Sequence, residues 1–587
     1  MITKAYIYNK VKEAAKTAAL LAAAPLMLAS CVDTIILPDD KTVDEDFWKS
    51  KSDVQLMVNG AYKSMISDAV ITRLIVWGGL RSDEIIPNTK LTGQLMEDLR
   101  DINLANTQPD NQFAKWDAIY SVINNCNIVL ERAAAVMRED PSYTEGDYQA
   151  DCSQMRALRA LCYFYLVRNF RDVPYSATAY MNDSQDRNIP QSAPAEVLQR
   201  CIDDLLEAEQ NAISSGAYTD WRSKGYMTRD VIQALLADIY LWRASVMHSA
   251  SDYEQAIAYA DRVIESKKAQ HLPRRGEQLL NEFPLAEGNT AFSELFVSGN
   301  AEESIFELQI NGANNPSEAL QQYYRSINNN NSDPYLFASD IFKDGGVAYP
   351  KPTSGIDYRA LNNFWPVEQT VDEWSVYRMR KYVTMNTTTG TSLPSEAVGH
   401  VSNYERNWIV YRLTDVMLMK AEALTGLALL TQQTAETDTT DYAHLRQAFA
   451  LVQTVNARSL QNKADSMVWS TYSNRTTEDF EKLVLAERLR ELPFEGKRWY
   501  DLMRYNYRHV SGVDYSTILA DQPNLVANYT EMLNLMKRKL GSKGDAVASK
   551  TANEARLYLP VPLADLKISP LWKQNPAYSS DDTFSKN

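Results

Sequence analysis

The sequence of 587 residues predicts an all-α fold of tetratricopeptide-like helix pairs, with a long irregular, loop-rich region between two helical parts. Three observations predict this fold. Apolar residues recur at the spacing of one helix face through residues 46–270 and again through 405–587. Residues 271–404 are rich in Gly, Pro, Asn, Ser and Thr, which is typical of loops. The chain also has 33 Tyr and 11 Trp against 21 Gly, which favours helices with aromatic side chains to spare for a surface.

The first thirty residues have the pattern of a lipoprotein export signal. Four lysines precede a short apolar run at 17–29, which is too short to cross a bilayer as a helix. The run ends in LASC at 28–31, which resembles the bacterial lipobox; the resemblance implies cleavage before Cys31 and a diacylglycerol on its sulfur. An ordinary signal peptide with a cysteine nearby is the alternative. We expect a signal peptide at 1–30, an acidic tether at 31–45 and one domain at 46–587.

Charge and metal-ligand spacing exclude several classes of function. The formal charge is −15, and removal of residues 1–30, with four Lys and one Glu, leaves −18, so nucleic acid is not an expected partner. Five His residues are scattered without HExxH spacing, and we expect no metal site and no cofactor. The remaining cysteines lie in apolar helical contexts without CxxC spacing, which predicts buried thiols; they are Cys126, Cys152, Cys162 and Cys201.

Several helices of the N-terminal part have the composition of tetratricopeptide pairs. MRALRALCYFYLVRNF at 155–170 is apolar nearly all round, which predicts a helix buried between neighbours. Two further stretches have Ala at close-contact positions and Tyr or Leu where a neighbouring helix would pack: TRDVIQALLADIYLWRA and YEQAIAYADRVIES. Thr228 is the predicted N-cap of the first. The repeat of about 34 residues is only approximate, so a general helical bundle is the alternative.

The segment ERLRELPFEGKRWYDLMR at 487–504 combines charges of both signs with a Pro and a Gly. The pattern predicts a helix that is capped by Thr476 or Thr477 and ended by Pro493, a bend at Gly496 and a second helix. In one interpretation four charged residues fix the crossing of the two helices: Glu491, Glu495, Arg498 and Asp501. In the other, the two glutamates form the acid/base pair of a hydrolase. The alternation of charges favours the scaffold, because catalytic carboxylates need separated environments.

Further motifs follow one another along the chain. They are DFWKSKSDVQLMVNGAY, GGLRSDE, RALRALCYFYLVRNFRDVPY, YEQAIAYADRVIES, ELFVSGNAEESIFELQ, DYR at 357–359, NWIVYRLTDVMLMKAEAL and LYLPVPLADLKISPLWKQNPAY. Together with 487–504 they resemble, in order, the SusD/RagB-like family of outer-membrane nutrient-binding lipoproteins of Bacteroidetes. Two residues depart from the family pattern and leave the local turn geometry open: Arg171, where Gly usually precedes the V-P turn, and Tyr226, where Arg commonly follows the Gly.

The resemblance implies a protein of the outer membrane that is lipid-anchored and exposed at the cell surface. Its all-helical fold would support a loop-built face that binds oligosaccharide or polysaccharide, and it would sit as a lid on a SusC-like TonB-dependent transporter without being an enzyme. Capture of peptide, which the RagB branch suggests, is the alternative within this architecture. A surface hydrolase is a different class, which no nucleophile or metal motif supports. A pure repeat scaffold would not need so long a loop region.

Aromatic residues of the irregular region form the candidate ligand site. A sugar presents C–H faces to rings and hydroxyls to polar side chains. The candidates stand among turn-forming or polar residues; they are Trp365, Trp374, Tyr335 and Tyr323, with Asn330 and Asp333 as hydrogen-bonding neighbours. The alternative is that these rings anchor loops on the helical body. Trp77 is a weaker candidate, since its apolar neighbours favour core packing, and residues 86–115 are the next expectation if the four rings do not bind.

Overall fold

The structure is a computed structural model that describes residues 47–182, 184–185, 188–271, 282–310, 315, 317–324, 334–342, 348–350, 352–371, 374–382, 406–432, 439–522 and 530–579. The predicted signal peptide, the tether and Cys31 lie outside the described residues, as do Asn330 and Asp333. The chain divides into two units, Met1–Lys49 and Ser50–Asn587. In the first, the rings of Phe47 and Trp48 meet edge to face with centroids 5.3 Å apart. All elements named below belong to the second.

Helices dominate the described part of the second unit. The α-helices are α1 (Lys51–Met65), α2 (Asp68–Ile75), α3 (Gln94–Asn103), α4 (Asp117–Glu139), α5 (Glu145–Phe170), α6 (Pro194–Gln210), α7 (Arg222–Gly225), α8 (Arg229–Met247), α9 (Ala250–Gln270), α10 (Gly288–Phe292), α11 (Glu318–Tyr324), α12 (Tyr358–Asn362), α13 (Leu413–Gln432), α14 (Thr439–Ser459), α15 (Trp469–Tyr472), α16 (Thr477–Glu491), α17 (Arg498–Arg508), α18 (Thr530–Leu540), α19 (Gly544–Thr551) and α20 (Leu563–Ile568). The strands are β1 (Ile85–Pro87), β2 (Val173–Pro174), β3 (Gln191–Ser192), β4 (Ser304–Leu308), β5 (Leu336–Ala338), β6 (Phe364–Val371), β7 (Trp374–Met379) and β8 (Trp408–Arg412).

The helices pack in pairs in both helical parts. α8 packs on α9, α9 on α13 and α13 on α14, while α5 contacts both α4 and α6. Thr228 is the N-cap residue of α8, as predicted, and the short link to α9 turns at His248, whose φ is 52°. Such short links join antiparallel neighbours. The predicted all-α fold of tetratricopeptide-like pairs is confirmed.

Helix α5 is the buried helix that the sequence predicts. From Asp151 to Phe170 every residue except Arg156 is buried. The cysteines at 126, 152, 162 and 201 are buried free thiols, as predicted. Within the described ranges, no group of His, Cys, Asp and Glu side chains is arranged to hold a metal ion. No described helix combines the length and the apolarity that crossing a bilayer requires.

Part of the region that the sequence predicts as irregular forms β-structure. A four-stranded sheet has the order β1, β5, β7, β6, and β4 pairs with β8 separately. The β6–β7 hairpin pairs Trp365 with Arg378 and Val371 with Trp374. Because β1 comes from residues 85–87, this sheet ties the middle region to the N-terminal helical part.

The segment at 487–504 has the backbone that the sequence predicts. Thr476 caps α16 through a capping box, the helix ends at Glu491, and α17 begins at Arg498. Gly496 lies between them with a φ of 67°. A Cβ added to Gly78 would lie 1.8 Å from the main-chain oxygen of Gly496. Glycine at both positions therefore lets the bend touch the backbone of the π-helical turn Val76–Leu80.

Buried ion pairs surround the bend. Glu491 is 3% exposed; its carboxylate accepts hydrogen bonds from Arg412 at 2.6 Å, from Arg359 at 3.1 Å and from Arg458. Glu495 accepts them from Arg412 at 2.9 Å and from Lys381 at 2.7 Å. Burial acts to raise the pKa of Glu491, but the arginines outweigh it and hold the pKa well below its ordinary value. The two carboxylates share Arg412 and are each enclosed by further cations, which is unlike the separated acid and base of a hydrolase.

The other two charged residues of the bend join the two helices. Asp501 of α17 forms an ion pair with Arg488 of α16 at 2.9 Å, and Arg498 donates a hydrogen bond to the Leu485 carbonyl at 3.0 Å. The prediction that four residues fix this crossing is right for these two and wrong for the two glutamates. Their partners come from β8, α12, α14 and residue 381, because the bend is buried among those elements.

The turn after α5 keeps its geometry without a glycine. Arg171 has a φ of 65°, a conformation that favours Gly. Its guanidinium donates to Asp172 at 2.9 Å and to the Thr517 carbonyl at 3.0 Å. These contacts stabilise a turn that would otherwise be strained.

Candidate functional site

The four predicted aromatic ligand residues lie in or near the four-stranded sheet. Tyr335 directly precedes β5, Trp365 lies in β6 and Trp374 in β7; the side chains of both tryptophans are outside the description. Tyr323 on α11 is 2% exposed, and its ring meets that of Tyr335 edge to face at 5.3 Å. A ligand role for these residues stays a prediction. Trp77 is fully buried and donates its indole N–H to a main-chain carbonyl at 2.7 Å, so its core role is confirmed.

An open cleft lies where α1, α7 and β4 meet the segments at 295–300 and 406–407. It has two adjoining compartments of about 430 and about 290 Å³. Trp221, Gln309 and Asn315 line both of them. Small-molecule sites have volumes of about 300–1,000 Å³, so the cleft has the size of a ligand site.

Four side-chain amides line the larger compartment, and three of them are called the amide cluster: Asn300, Gln309 and Asn407. Gln309 donates to the Asn300 amide oxygen at 2.8 Å and accepts from the Asn300 amide nitrogen at 3.1 Å. The Asn407 amide oxygen accepts the Ile310 N–H at 2.9 Å. The amides therefore fix one another's orientation before any ligand binds.

A buried carboxylate supports the amide cluster from below. Glu307 on β4 is fully buried and accepts the Asn300 main-chain N–H at 3.0 and 2.9 Å. It also accepts the Asn407 amide N–H at 2.7 Å. Asn300 and Gly299 have positive φ values of 51° and 70°, so Glu307 holds a tight turn at the rim of the cleft. This is a positioning role, because the oxygens of Glu307 face protein donors.

Aromatic rings wall the smaller compartment, called here the aromatic compartment. The rings of Tyr62 and Tyr226 stack with centroids 5.1 Å apart. Trp221 and Tyr218 each meet Tyr226 edge to face, at 5.5 and 5.9 Å. Trp221 is 47% exposed, so its indole offers surface to both compartments. An exposed ring held by other rings is a stacking platform that needs little rearrangement.

The short helix α7 places Trp221 at this position. Trp221 is the residue before α7, and Gly225 ends the helix. A Cβ at Gly225 would lie 2.7 Å from Cγ of Gln309 and 2.8 Å from the Trp221 ring. Glycine therefore allows the ring and the amide to come together over the end of α7.

The sequence prediction omitted Trp221, Tyr226 and the amide cluster. Trp221 lies in GAYTDWRSKGY at 216–226, where an aromatic side chain also stands among turn-forming residues. The same criterion applied outside 271–404 would have found it. Asn407 had no such signal, because a lone asparagine before a strand has many structural roles.

Helix pairs that support an open cleft of amides and aromatic rings are typical of a binding protein of the helical-repeat class. The particular family follows from two family models: "SusD family" matches residues 368–578 and "Starch-binding associating with outer membrane" matches residues 37–241. The chain belongs to the SusD/RagB-like family, as its motifs predict. Proteins of this family bind nutrients and are associated with the outer membrane.

Individual proteins agree with this assignment. SusD-like protein P38 and SusD-like protein P2 of Formosa agariphila are each 24% identical to this chain; they match 82% and 87% of it and 89% and 94% of their own lengths. A SusD superfamily protein of Bacteroides vulgatus superposes with a TM-score of 0.64 at 17% identity, over 90% of this chain and 100% of its own. NanU of B. fragilis gives 0.60 at 18% identity, over 92% and 100%. The two structures support the fold.

Proposed function

We propose that this protein captures oligosaccharide or polysaccharide at the cell surface and delivers it to a SusC-like TonB-dependent transporter of the outer membrane. One observation carries the choice of glycan: the exposed indole of Trp221 stands beside a preorganised amide cluster in one open cleft. Rings take the C–H faces of sugars, and amides take their hydroxyls. The family model described as starch-binding favours the same ligand class.

We also propose that binding proceeds without chemical conversion of the glycan. The carboxylates at the 487–504 bend are enclosed by cations, and Glu307 below the cleft is held by N–H donors. A general acid or base must reach the atom that it protonates or deprotonates. Incubation of the protein with the retained polysaccharide should leave the chain length unchanged by chromatography; shortened products would favour the hydrolase alternative.

Retention on native gels tests glycan capture. We expect the wild type to be retarded by at least one polysaccharide of a broad panel and not by immobilised peptide. Trp221→Ala should lose the retardation. Tyr442→Ala is the matched control, because Tyr442 is 45% exposed on α14, similar to the 47% of Trp221, and does not line the cleft.

The same gels separate the competing sites and ligands. Loss of retardation in Trp365→Ala, Trp374→Ala, Tyr335→Ala or Tyr323→Ala, with Trp221→Ala unaffected, would place the ligand at the four-stranded sheet. Retention by peptide and by no polysaccharide would support the RagB-like alternative. Retention by neither would contradict the proposal.

Anchoring and delivery have their own tests. Cys31 ends the predicted lipobox, so Cys31→Ser should move the protein from the membrane fraction to the soluble fraction. Unchanged membrane association would contradict the lipid anchor. Purification of the wild type from native membranes should recover a stoichiometric partner of the size of a TonB-dependent barrel, and its absence would contradict delivery.

A further inference from the structure

The two compartments of the cleft differ in chemistry, and this difference indicates the class of glycan. We propose that the cleft binds an oligosaccharide in which one sugar carries a methyl-bearing substituent, an acetyl or a deoxy group, that is seated in the aromatic compartment. The inference rests on the proposed glycan capture and goes further by naming the ligand class.

The aromatic compartment presents carbon, because the hydroxyls of its tyrosines are already bonded to protein. The Tyr62 hydroxyl donates to Gln154 at 3.0 Å and accepts the Met227 N–H at 2.9 Å. The Tyr226 hydroxyl donates to Asn59 at 3.0 Å. Burial raises the pKa of both tyrosines above the ordinary value, so both keep their protons. The rings themselves are therefore what a ligand meets.

Aliphatic side chains complete the apolar wall. Ile66 is 8% exposed and Leu308 is 3% exposed, and both line the aromatic compartment. Its polar lining residues already bond to protein: Asn59 accepts a hydrogen bond from Tyr226, Lys63 donates one to Asn315, and Gln309 belongs to the amide cluster. Against the rings and these aliphatic side chains, a sugar hydroxyl would lose water without gaining a partner, which is unfavourable. A methyl group would gain from the same burial.

The larger compartment has the opposite character. Asn300 is exposed, and its amide nitrogen uses one hydrogen for Gln309, which leaves a second for a ligand. Ser298 and Asn407 lie beside it. This compartment suits a sugar rich in hydroxyls, because each hydroxyl can replace a bond to water with a bond to an oriented amide.

One ligand reaches both compartments, because they share a wall. Trp221 and Gln309 line both, and the volumes of about 430 and about 290 Å³ adjoin there. A ligand that fills both therefore passes over the Trp221 indole. A glycan of at least two sugars meets that requirement, with its hydroxyl-rich unit on the amides and its methyl-bearing unit on the rings.

Matched sugars test the inference. N-acetyllactosamine and lactose differ at one position, where an acetamido group replaces a hydroxyl, and L-fucose and L-galactose differ by a deoxy methyl. Saturation-transfer NMR and titration calorimetry on the full mature chain should show the methyl-bearing member of at least one pair bound more tightly, by about fourfold or more for one buried methyl. The strongest saturation should fall on that methyl group. The two pairs distinguish an acetyl from a deoxy substituent.

Variants locate the methyl group. Tyr226→Ala should abolish the preference within the pair, whereas Asn300→Ala should weaken both members alike. Tyr226→Phe keeps the ring and loses the hydrogen bond to Asn59, so it should keep the preference for the methyl-bearing sugar. This variant still tests the role of the ring if Tyr226→Ala is unstable. Tyr442→Ala should change neither affinity.

The outcomes separate this inference from the proposed function. If no polysaccharide retards the wild type in native gels, both the proposed function and this inference are wrong. If polysaccharide retards the wild type but both members of each sugar pair bind equally, or no member of either pair binds, only the inference of a methyl-bearing ligand is overturned. A preference that survives in Tyr226→Ala overturns its placement in the aromatic compartment.

Discussion

The bend at 487–504 and the cleft around Trp221 are both rich in polar side chains, but they use them in opposite ways. At the bend, Glu491 and Glu495 are buried and satisfied by four cations from other elements. At the cleft, Arg406 and Lys63 also line the wall, but the amide cluster itself is neutral, and its members orient one another and keep hydrogen-bonding capacity toward solvent. Density of charge therefore identifies the scaffold of this protein, and exposed amides beside rings identify its candidate site.

The difference has a physical reason. A buried charge must be paired or hydrogen-bonded within the protein, and each such bond removes the group from chemistry with a ligand. An amide keeps spare donors and acceptors at little desolvation cost, so it can hold a shape and still bind. The following predictions test this contrast, from the largest expected effect to the smallest.

The backbone contact under the bend should be the least tolerant feature. Gly78→Ala should prevent folding, because its Cβ would lie 1.8 Å from the Gly496 oxygen. Gly60→Ala on α1 is the matched control: no atom lies within 4 Å of the added Cβ, and the change should raise the free energy of unfolding by about 0.5–1 kcal/mol. Circular dichroism and thermal unfolding measure both. A folded, wild-type-like Gly78→Ala protein would contradict the close approach.

Loss of one cation from the bend should be the next largest effect. Arg412→Ala leaves Glu491, Glu495 and Glu303 with an incomplete set of partners, and breaking a buried pair lowers the free energy of unfolding by about 3–5 kcal/mol. Arg200→Ala breaks an exposed pair with Glu196 instead and should change it by less than about 1 kcal/mol. Urea denaturation compares the two. Equal effects would show that the bend is no more than surface charge.

Lys539 is a buried amine to which no carboxylate in the described structure bonds directly, so its stability effect should depend on pH. Its ammonium donates to the carbonyls of Leu80 at 2.8 Å and Ser82 at 2.5 Å, and burial lowers its pKa to about 7. Since an unfolded lysine has a pKa of about 10.4, the unfolded chain binds more protons between these values. The free energy of unfolding should therefore rise with pH from about 7 to 10, by at most about 1.4 kcal/mol per pH unit.

The variant Lys539→Met isolates this contribution. Urea denaturation of both proteins at pH 7, 8 and 9 should show the wild type gaining stability relative to the variant as the pH rises. All other titrating groups are common to the two proteins. Parallel pH profiles would mean that folded Lys539 keeps its ordinary pKa.

A substitution in the cleft should lower the affinity for glycan and leave the stability of the protein unchanged. Trp221→Ala should weaken binding of the retained glycan by about 1–3 kcal/mol through lost burial of apolar surface, with Tm nearly unchanged because the indole is 47% exposed. A lower Tm with unchanged affinity would show that Trp221 has a structural role and that the cleft is not the binding site.

The helical fold could be predicted because its signals are local. Thr228 as an N-cap, the buried face of 155–170 and the Pro493–Gly496 bend depend on residues a few positions apart, and the structure confirms each. The partners of Glu491 and Glu495 could not be predicted, because they lie 33 to 132 residues away along the chain. The cleft could not be predicted for the same reason, because residues far apart in sequence meet there: Tyr62 stacks on Tyr226, and Gln309 bonds to Asn407.

The sequence by itself determined the class of this protein: the helix periodicity, the bend and the ordered motifs identify the SusD/RagB-like family, and the lipobox predicts an anchor at Cys31. The tertiary structure decided which polar residues are scaffold and which line a cleft. Glu495 and Asn407 both lie in motifs that the sequence singles out, yet one is buried against Lys381 and Arg412 and the other lines a cavity. Local pattern encodes how a segment folds, whereas desolvation and pairing are set by residues that only the packed chain brings together.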